Sequence, residues 1–170
     1  IRSFVGTGNR QYLTGMRMGG QRVLILVDAS ASMLGRTYAN VVRYRAMPDE
    51  RKIRAPKWRQ TLGTVEWLTT QIQPGARFQI YAFNEQAATT VAGSDGGWIT
   101  AKDGSDFDAA LAGLRKIVPT KGTSLLKAFQ AARAMKPTPD NIFLITDGLP
   151  TQGASAPAEP RNVASGARLL

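Results

Sequence analysis

Val23-Leu24-Ile25-Leu26-Val27-Asp28-Ala29-Ser30-Ala31-Ser32 (VLILVDASAS, residues 23–32) decides how this chain is read. Val23 to Val27 form an unbroken apolar run, which predicts a strand buried on both faces of a mostly parallel sheet. The run ends in an acid, Asp28, followed at alternate positions by Ser30 and Ser32. In open parallel sheets, ligands bind beyond the carboxyl ends of the strands. One carboxylate and two hydroxyls at that place are hard oxygen donors, which suit Mg²⁺ or Mn²⁺ better than Zn²⁺. The same residue types also serve as ordinary turn and N-cap residues, so this stretch alone leaves both alternatives open.

Two later stretches extend the pattern. Ile142-Phe143-Leu144-Ile145-Thr146-Asp147 reads as a second buried strand ending in an acid, followed by Gly148. Gly122-Thr123-Ser124 opens a helical pattern whose apolar positions are Leu125, Phe129, Ala132 and Met135. If the two strands are parallel neighbours, Asp28, Ser30, Ser32, Thr123 and Asp147 meet at one sheet edge.

The succession DASAS, KGTSL and LITDG, from Arg22 to about Pro150, resembles the von Willebrand factor A domain. The resemblance implies a Rossmann-like, three-layer α/β fold, with a mostly parallel central sheet, helices on both faces and an antiparallel edge strand. It also implies a metal-ion-dependent adhesion site made by Asp28, Ser30, Ser32, Thr123 and Asp147, holding Mg²⁺, or else Mn²⁺ or Ca²⁺. The implied function is metal-dependent protein binding, without catalysis, in which a partner presents Asp or Glu to the ion. The style of the motifs resembles bacterial members, which often extend from a membrane anchor. Such a tether is expected, if present, outside the given residues.

Upstream, Ile1 to Gln21 reads as a leading segment. Tyr12 to Met18 alternates like a short edge strand, and Gly19-Gly20 can turn it into the strand at Arg22. Downstream, the 22–170 domain departs from the simplest family pattern by a basic insertion over about 34–57. From Arg36 to Arg59 there are eight basic residues (Arg36, Arg43, Arg45, Arg51, Lys52, Arg54, Lys57, Arg59) against Asp49 and Glu50, which is six of the chain's ten net positive charges. The insertion reads as a long loop with one short amphipathic turn at Val41, Val42, Tyr44 and Met47, broken by Pro48 and Pro56. Because it leaves from the candidate metal edge, Arg36, Arg43, Arg45, Arg51 and Arg54 are candidate partner contacts, against the alternative of a solvated surface excursion.

The rest of the chain supplies the layers. A helix over Lys57–Ile72 places Trp58, Leu62, Val65, Leu68 and Ile72 on one face, and a strand over Arg77–Asn84 follows. Ala88–Val91 and Trp98–Ala101 read as a small edge strand and an irregular loop, with Trp98 either an exposed anchor or a cover for the core. A helix capped by Ser105 or Asp106 runs through Lys116, with Phe107, Ala110, Leu111 and Leu114 inward. The chain starts at Ile1 and stops in a helical pattern at Arg161–Leu170, so an excised piece, truncated on its C-terminal side, is expected.

Composition narrows the rivals. The chain has no cysteine and no histidine, which removes disulfides, thiol nucleophiles and the commonest general base. No apolar run approaches the roughly 18 residues of a membrane span. A net charge of +10 is compatible with acidic partners, although solubility plus a basic face on one element is the simpler account of it. Two alternatives to adhesion stand: a structural domain of a larger membrane-associated assembly, and a nucleic-acid-associated domain using the insertion. Nucleic acid is the less expected partner, because no standard recognition module is present.

Overall fold

The computed structural model describes residues 20–148. In chain order these form β1 (Arg22–Asp28), a 3₁₀ turn (Ala31–Leu34), α1 (Tyr38–Arg45), α2 (Asp49–Lys52), α3 (Pro56–Thr70), β2 (Arg77–Phe83), β3 (Ala87–Thr89), β4 (Ile99–Thr100), α4 (Gly104–Arg115), α5 (Leu125–Ala134) and β5 (Asn141–Ile145). The leading strand expected at 12–18 and the helical pattern at 161–170 lie outside these residues.

β1 is the centre of the sheet because both its faces are apolar. It pairs in parallel with β2 on one side, from Arg22↔Arg77 to Asp28↔Phe83. On the other side it pairs in parallel with β5, from Val23↔Asn141 to Val27↔Ile145. Strand alternation then sends successive side chains to opposite layers. Val23, Ile25 and Val27 pack with Trp58, Val65 and Leu68 of α3 and Phe107, Leu111 and Leu114 of α4. Leu24 and Leu26 pack with Tyr81, Phe83 and the α5 residues Ala128 and Ala132. The domain is therefore an α/β fold of three layers, with a mostly parallel sheet between helices.

β3 and β4 both run antiparallel along the outer edge of β2, at opposite ends of it. The residues between them leave the sheet, and a buried side chain fills the gap. Gln79 donates through Nε2 to the carbonyls of Ser94 and Gly97, at 2.9 and 3.0 Å. At the start of β1, the Asp140 carboxylate accepts from the backbone N–H groups of Gln21 and Arg22, at 3.0 and 2.9 Å. Gly20 sits against that carboxylate with φ +102°, and a Cβ there would lie 2.4 Å from Asp140 Oδ1. Only glycine fits this approach.

Several sequence expectations change. The insertion is helical rather than a loop. Thr37 caps α1 through its side chain, which accepts from Asn40 N, and Pro48 and Pro56 mark the starts of α2 and α3 instead of breaks between irregular segments. A proline at a helix start loses nothing, because the first N–H groups have no intrahelical partner. α1 has no fully buried residue. Asp103 caps α4, not Ser105 or Asp106, in a capping box with Asp106. On α5 Leu125 and Ala132 face inward as expected, joined by Ala128 and by Met135 just beyond the helix, while Phe129 is 44 % exposed. Small residues at 128 and 132 let the helix lie close to the sheet, which rotates Phe129 outward. β5 is not buried on both faces: Ile142 and Leu144 are 42 % and 38 % exposed, because β5 ends the strand order among the described residues. Trp98 covers the core edge. It packs against the α5-side cluster, and its Nε1 donates to Pro137 O at 2.9 Å.

Candidate metal centre

Parallel pairing of β1 with both β2 and β5 brings their carboxyl ends to one edge, and the polar residues collect there. Asp28 ends β1 and is fully buried. Its Oδ1 accepts from Ser30 N at 2.8 Å, and its Oδ2 accepts from Thr146 Oγ1 at 2.7 Å. Ser30 Oγ lies 2.9 Å from Ser32 Oγ, and Ser32 Oγ donates to Asp147 Oδ1 at 2.9 Å. Ser30, Ser32 and Asp147 thus form one chain of oxygens between the loop after β1 and the loop after β5, and Asp28 is tied to it through the Ser30 backbone N–H.

Thr123 joins them from the loop before α5. It is 3 % exposed and lines the same cleft as Ser30, Ser32 and Asp147. The helix cap falls to its neighbour, since Ser124 Oγ accepts from Lys127 N. The loop is held to the strand ends through its backbone: Ala31 N donates to Lys121 O at 2.9 Å, Thr120 N to Ala29 O at 2.9 Å and Ser124 N to Asn84 O at 2.8 Å. Glu85, after β2, accepts from Gly122 N at 3.2 Å and also faces the cleft.

Lys57 and Thr146 belong to this site and were not singled out from sequence. Lys57 Nζ is ion-paired with Asp147 and donates to the carbonyls of Ser32 and Gly35, at 3.0 and 3.2 Å. Both side chains of the pair are 19 % exposed. Nothing local could have revealed Lys57, which is 25 residues from Ser32 and reads as one more basic residue of the insertion. Thr146 had a signal, since it stands between Asp147 and the end of β5, the strand that pairs with β1.

The partner-contact candidates separate. Arg36 and Arg45 line the cleft above the oxygen cluster, together with Tyr38, Lys57 and Lys121. Arg43, Arg51 and Arg54 are exposed but do not line it, and Trp98 lies elsewhere. Among the described residues no three His, Cys, Asp or Glu side chains gather, so the donor set is two carboxylates plus hydroxyls. No helix of the described residues is long and apolar enough to cross a membrane.

Comparison with known proteins agrees with this architecture. A solved structure, a von Willebrand factor type A protein from Catenulispora acidiphila, superposes with a TM-score of 0.50 at 19 % identity over 68 % of this chain. The chain spans 22 % of that protein's length. No curated protein matches the chain. The family model for the von Willebrand factor type A domain matches residues 23–149, from β1 to just beyond Gly148. The chain therefore belongs to the von Willebrand factor type A domain family.

Proposed function

We propose that this domain binds a partner protein through a divalent metal ion held by Asp28, Ser30, Ser32, Thr123 and Asp147, with an Asp or Glu of the partner completing the ion's shell. Domains of this family generally mediate protein interactions, and they often bind a divalent metal.

Asp28 carries the proposal. It is a fully buried carboxylate with a single hydrogen bond to each oxygen and no ion pair among the described residues. An unpaired buried charge costs several kcal/mol unless a cation offsets it. The donor set fits a small hard cation. Ser30 Oγ, Ser32 Oγ and Asp147 Oδ1 are hydrogen-bonded in sequence at 2.9 Å, which gathers hard oxygen donors at one place, the kind of donor that suits Mg²⁺ or Mn²⁺.

When bound, the ion supplies an electrophilic position for an anionic oxygen. The chain's own residues prepare that position. Lys57 offsets the charge of Asp147, which leaves a divalent centre less neutralised and more attractive to an incoming carboxylate. The chain has no histidine and no cysteine to act as base or nucleophile, and we assign it no catalytic role.

Mg²⁺ titration by calorimetry, with wild type and Asp28→Asn, tests the proposal. Asn is preferred to Ala because Asp28 is buried and holds two donors. Asp28→Asn is expected to lower metal affinity at least about tenfold while the domain still melts cooperatively. Equal Mg²⁺ binding by the two proteins would overturn the proposal.

A further inference from the structure

The cleft over the candidate centre encloses about 610 Å³, within the range of about 300–1,000 Å³ usual for ligand sites. Its lining carries four cations, Arg36, Arg45, Lys57 and Lys121, against the carboxylates of Glu85 and Asp147. Lys57 is spent on Asp147, and Arg36 Nη2 donates to Gln60 Oε1 at 2.8 Å. The side chains of Arg45 and Lys121 make no hydrogen bond or ion pair among the described residues. Two uncommitted cations therefore flank a cleft whose floor is the oxygen cluster.

Lys121 adds an independent observation. Its backbone has φ +65°, the left-handed region that costs an L-residue about 1–2 kcal/mol. Glycine would sit there without strain, yet the chain places a lysine at the cleft rim. Strained positions of this kind gather at functional sites. α1 forms the opposite wall through Tyr38, Val41 and Arg45, and it rests on the core through the partly buried Tyr44 while burying no residue fully. Tyr38 is 84 % exposed at that wall, and tyrosine is over-represented among binding hot spots.

We infer that the cleft is a groove for an acidic peptide segment of a partner protein. One carboxylate of the segment goes to the metal centre, and further Asp or Glu side chains are held by Arg45 and Lys121 against Tyr38. The first contact rests on the function proposed above, and the second needs no metal. A nucleic acid fits this groove less well. Glu85 and Asp147 oppose a phosphate backbone, and Arg43, Arg51 and Arg54, which would track one, do not line the cleft.

Fluorescence anisotropy with labelled peptides tests the inference, in Mg²⁺ and in EDTA, with single-stranded oligo-dT alongside. One peptide carries a single Glu among glycines and the other alternates Glu and Gly. Thermal melting confirms that each variant folds. The alternating peptide is expected to bind more tightly than the single-Glu peptide. Arg45→Ala with Lys121→Gly should remove that advantage, a loss of roughly tenfold. Lys121→Gly keeps the backbone at ease. Arg43→Ala with Arg51→Ala removes the same charge away from the cleft and should cost less than about twofold. An equal loss in both double variants, no preference for the alternating peptide, or oligo-dT that binds more tightly through Arg45 and Lys121 would each overturn the groove. If EDTA and Asp28→Asn leave the single-Glu peptide unaffected while Arg45 and Lys121 still govern the alternating one, the groove stands and the metal proposal falls.

Discussion

At the scale of single residues, the candidate centre is a balance of few charges. Asp28 and Asp147 supply two negative charges and Lys57 returns one, through a pair that is mostly shielded from water. A divalent ion and the Lys57 ammonium compete for the same Asp147 carboxylate. Lys57→Met is therefore expected to tighten Mg²⁺ binding by roughly three- to thirtyfold, the order expected for removing one like charge near a protein surface. Calorimetric titration reads this directly. The same substitution leaves the Ser32 and Gly35 carbonyls without their donor, so melting should show a loss of about 1–3 kcal/mol. Away from the site, Tyr81 makes a pH prediction. Burial, together with the hydrogen bond and charge of Asp95, pushes its hydroxyl up to about 12, while the N–H of Gly96 partly opposes this. The unfolded chain releases that proton near its ordinary value of about 10. Its contribution is thus whole below pH 10 and is lost as pH rises towards 12. Wild type should lose up to about 1.4 kcal/mol per pH unit more than Tyr81→Phe across that window, read by urea melts at each pH.

At the scale of elements, the helices are placed by close approach as much as by apolar stripes. α4 lies so near the β3 edge that a Cβ on Gly113 would meet Thr90 O at 1.8 Å. Helix propensity favours Gly113→Ala by about 1 kcal/mol, but backbone cannot yield as a side-chain tip can. The clash should win, for a net loss of about 1–3 kcal/mol in chemical denaturation. The four inward residues of α4 were legible in the sequence because Phe107, Ala110, Leu111 and Leu114 repeat at helical spacing. α5 was less legible. Its inward stripe includes the weakly apolar Ala128 and Ala132, and only packing against the sheet shows that Phe129 is left outside it. β1, β2 and β5 were legible in place, but Trp98–Ala101, read as an irregular loop, holds β4, because its two residues pair with the edge of β2. That β5 keeps one face exposed depends on which neighbours surround it, and composition carries no record of that.

At the scale of the whole molecule, the insertion is a cleft wall that touches the core mainly through the partly buried Tyr44. Residues 36–54 contribute no fully buried side chain, whereas Leu34 before them and Ala55 after them are buried. Replacing 36–54 with a Gly/Ser linker should leave cooperative unfolding and Mg²⁺ affinity within about twofold. It should also weaken the salt dependence of acidic-peptide association, because most of the removed charge is positive. Calorimetry and stopped-flow binding at two ionic strengths check both expectations.

The sequence by itself determined the family and the central strand. It also marked four polar residues that line one cleft, Ser30, Ser32, Thr123 and Asp147, and the buried Asp28 beside them, because the apolar runs of β1 and β5 are each followed closely by an acid. Tertiary structure alone decided what surrounds them. Lys57 reaches Asp147 across a helical insertion. Two of five insertion arginines turn to the cleft, and Lys121 accepts a strained backbone at its rim. Each of these depends on the direction in which a side chain leaves its element and on what the rest of the chain has placed there. Local pattern records residue type and spacing, and it carries no term for that meeting in space.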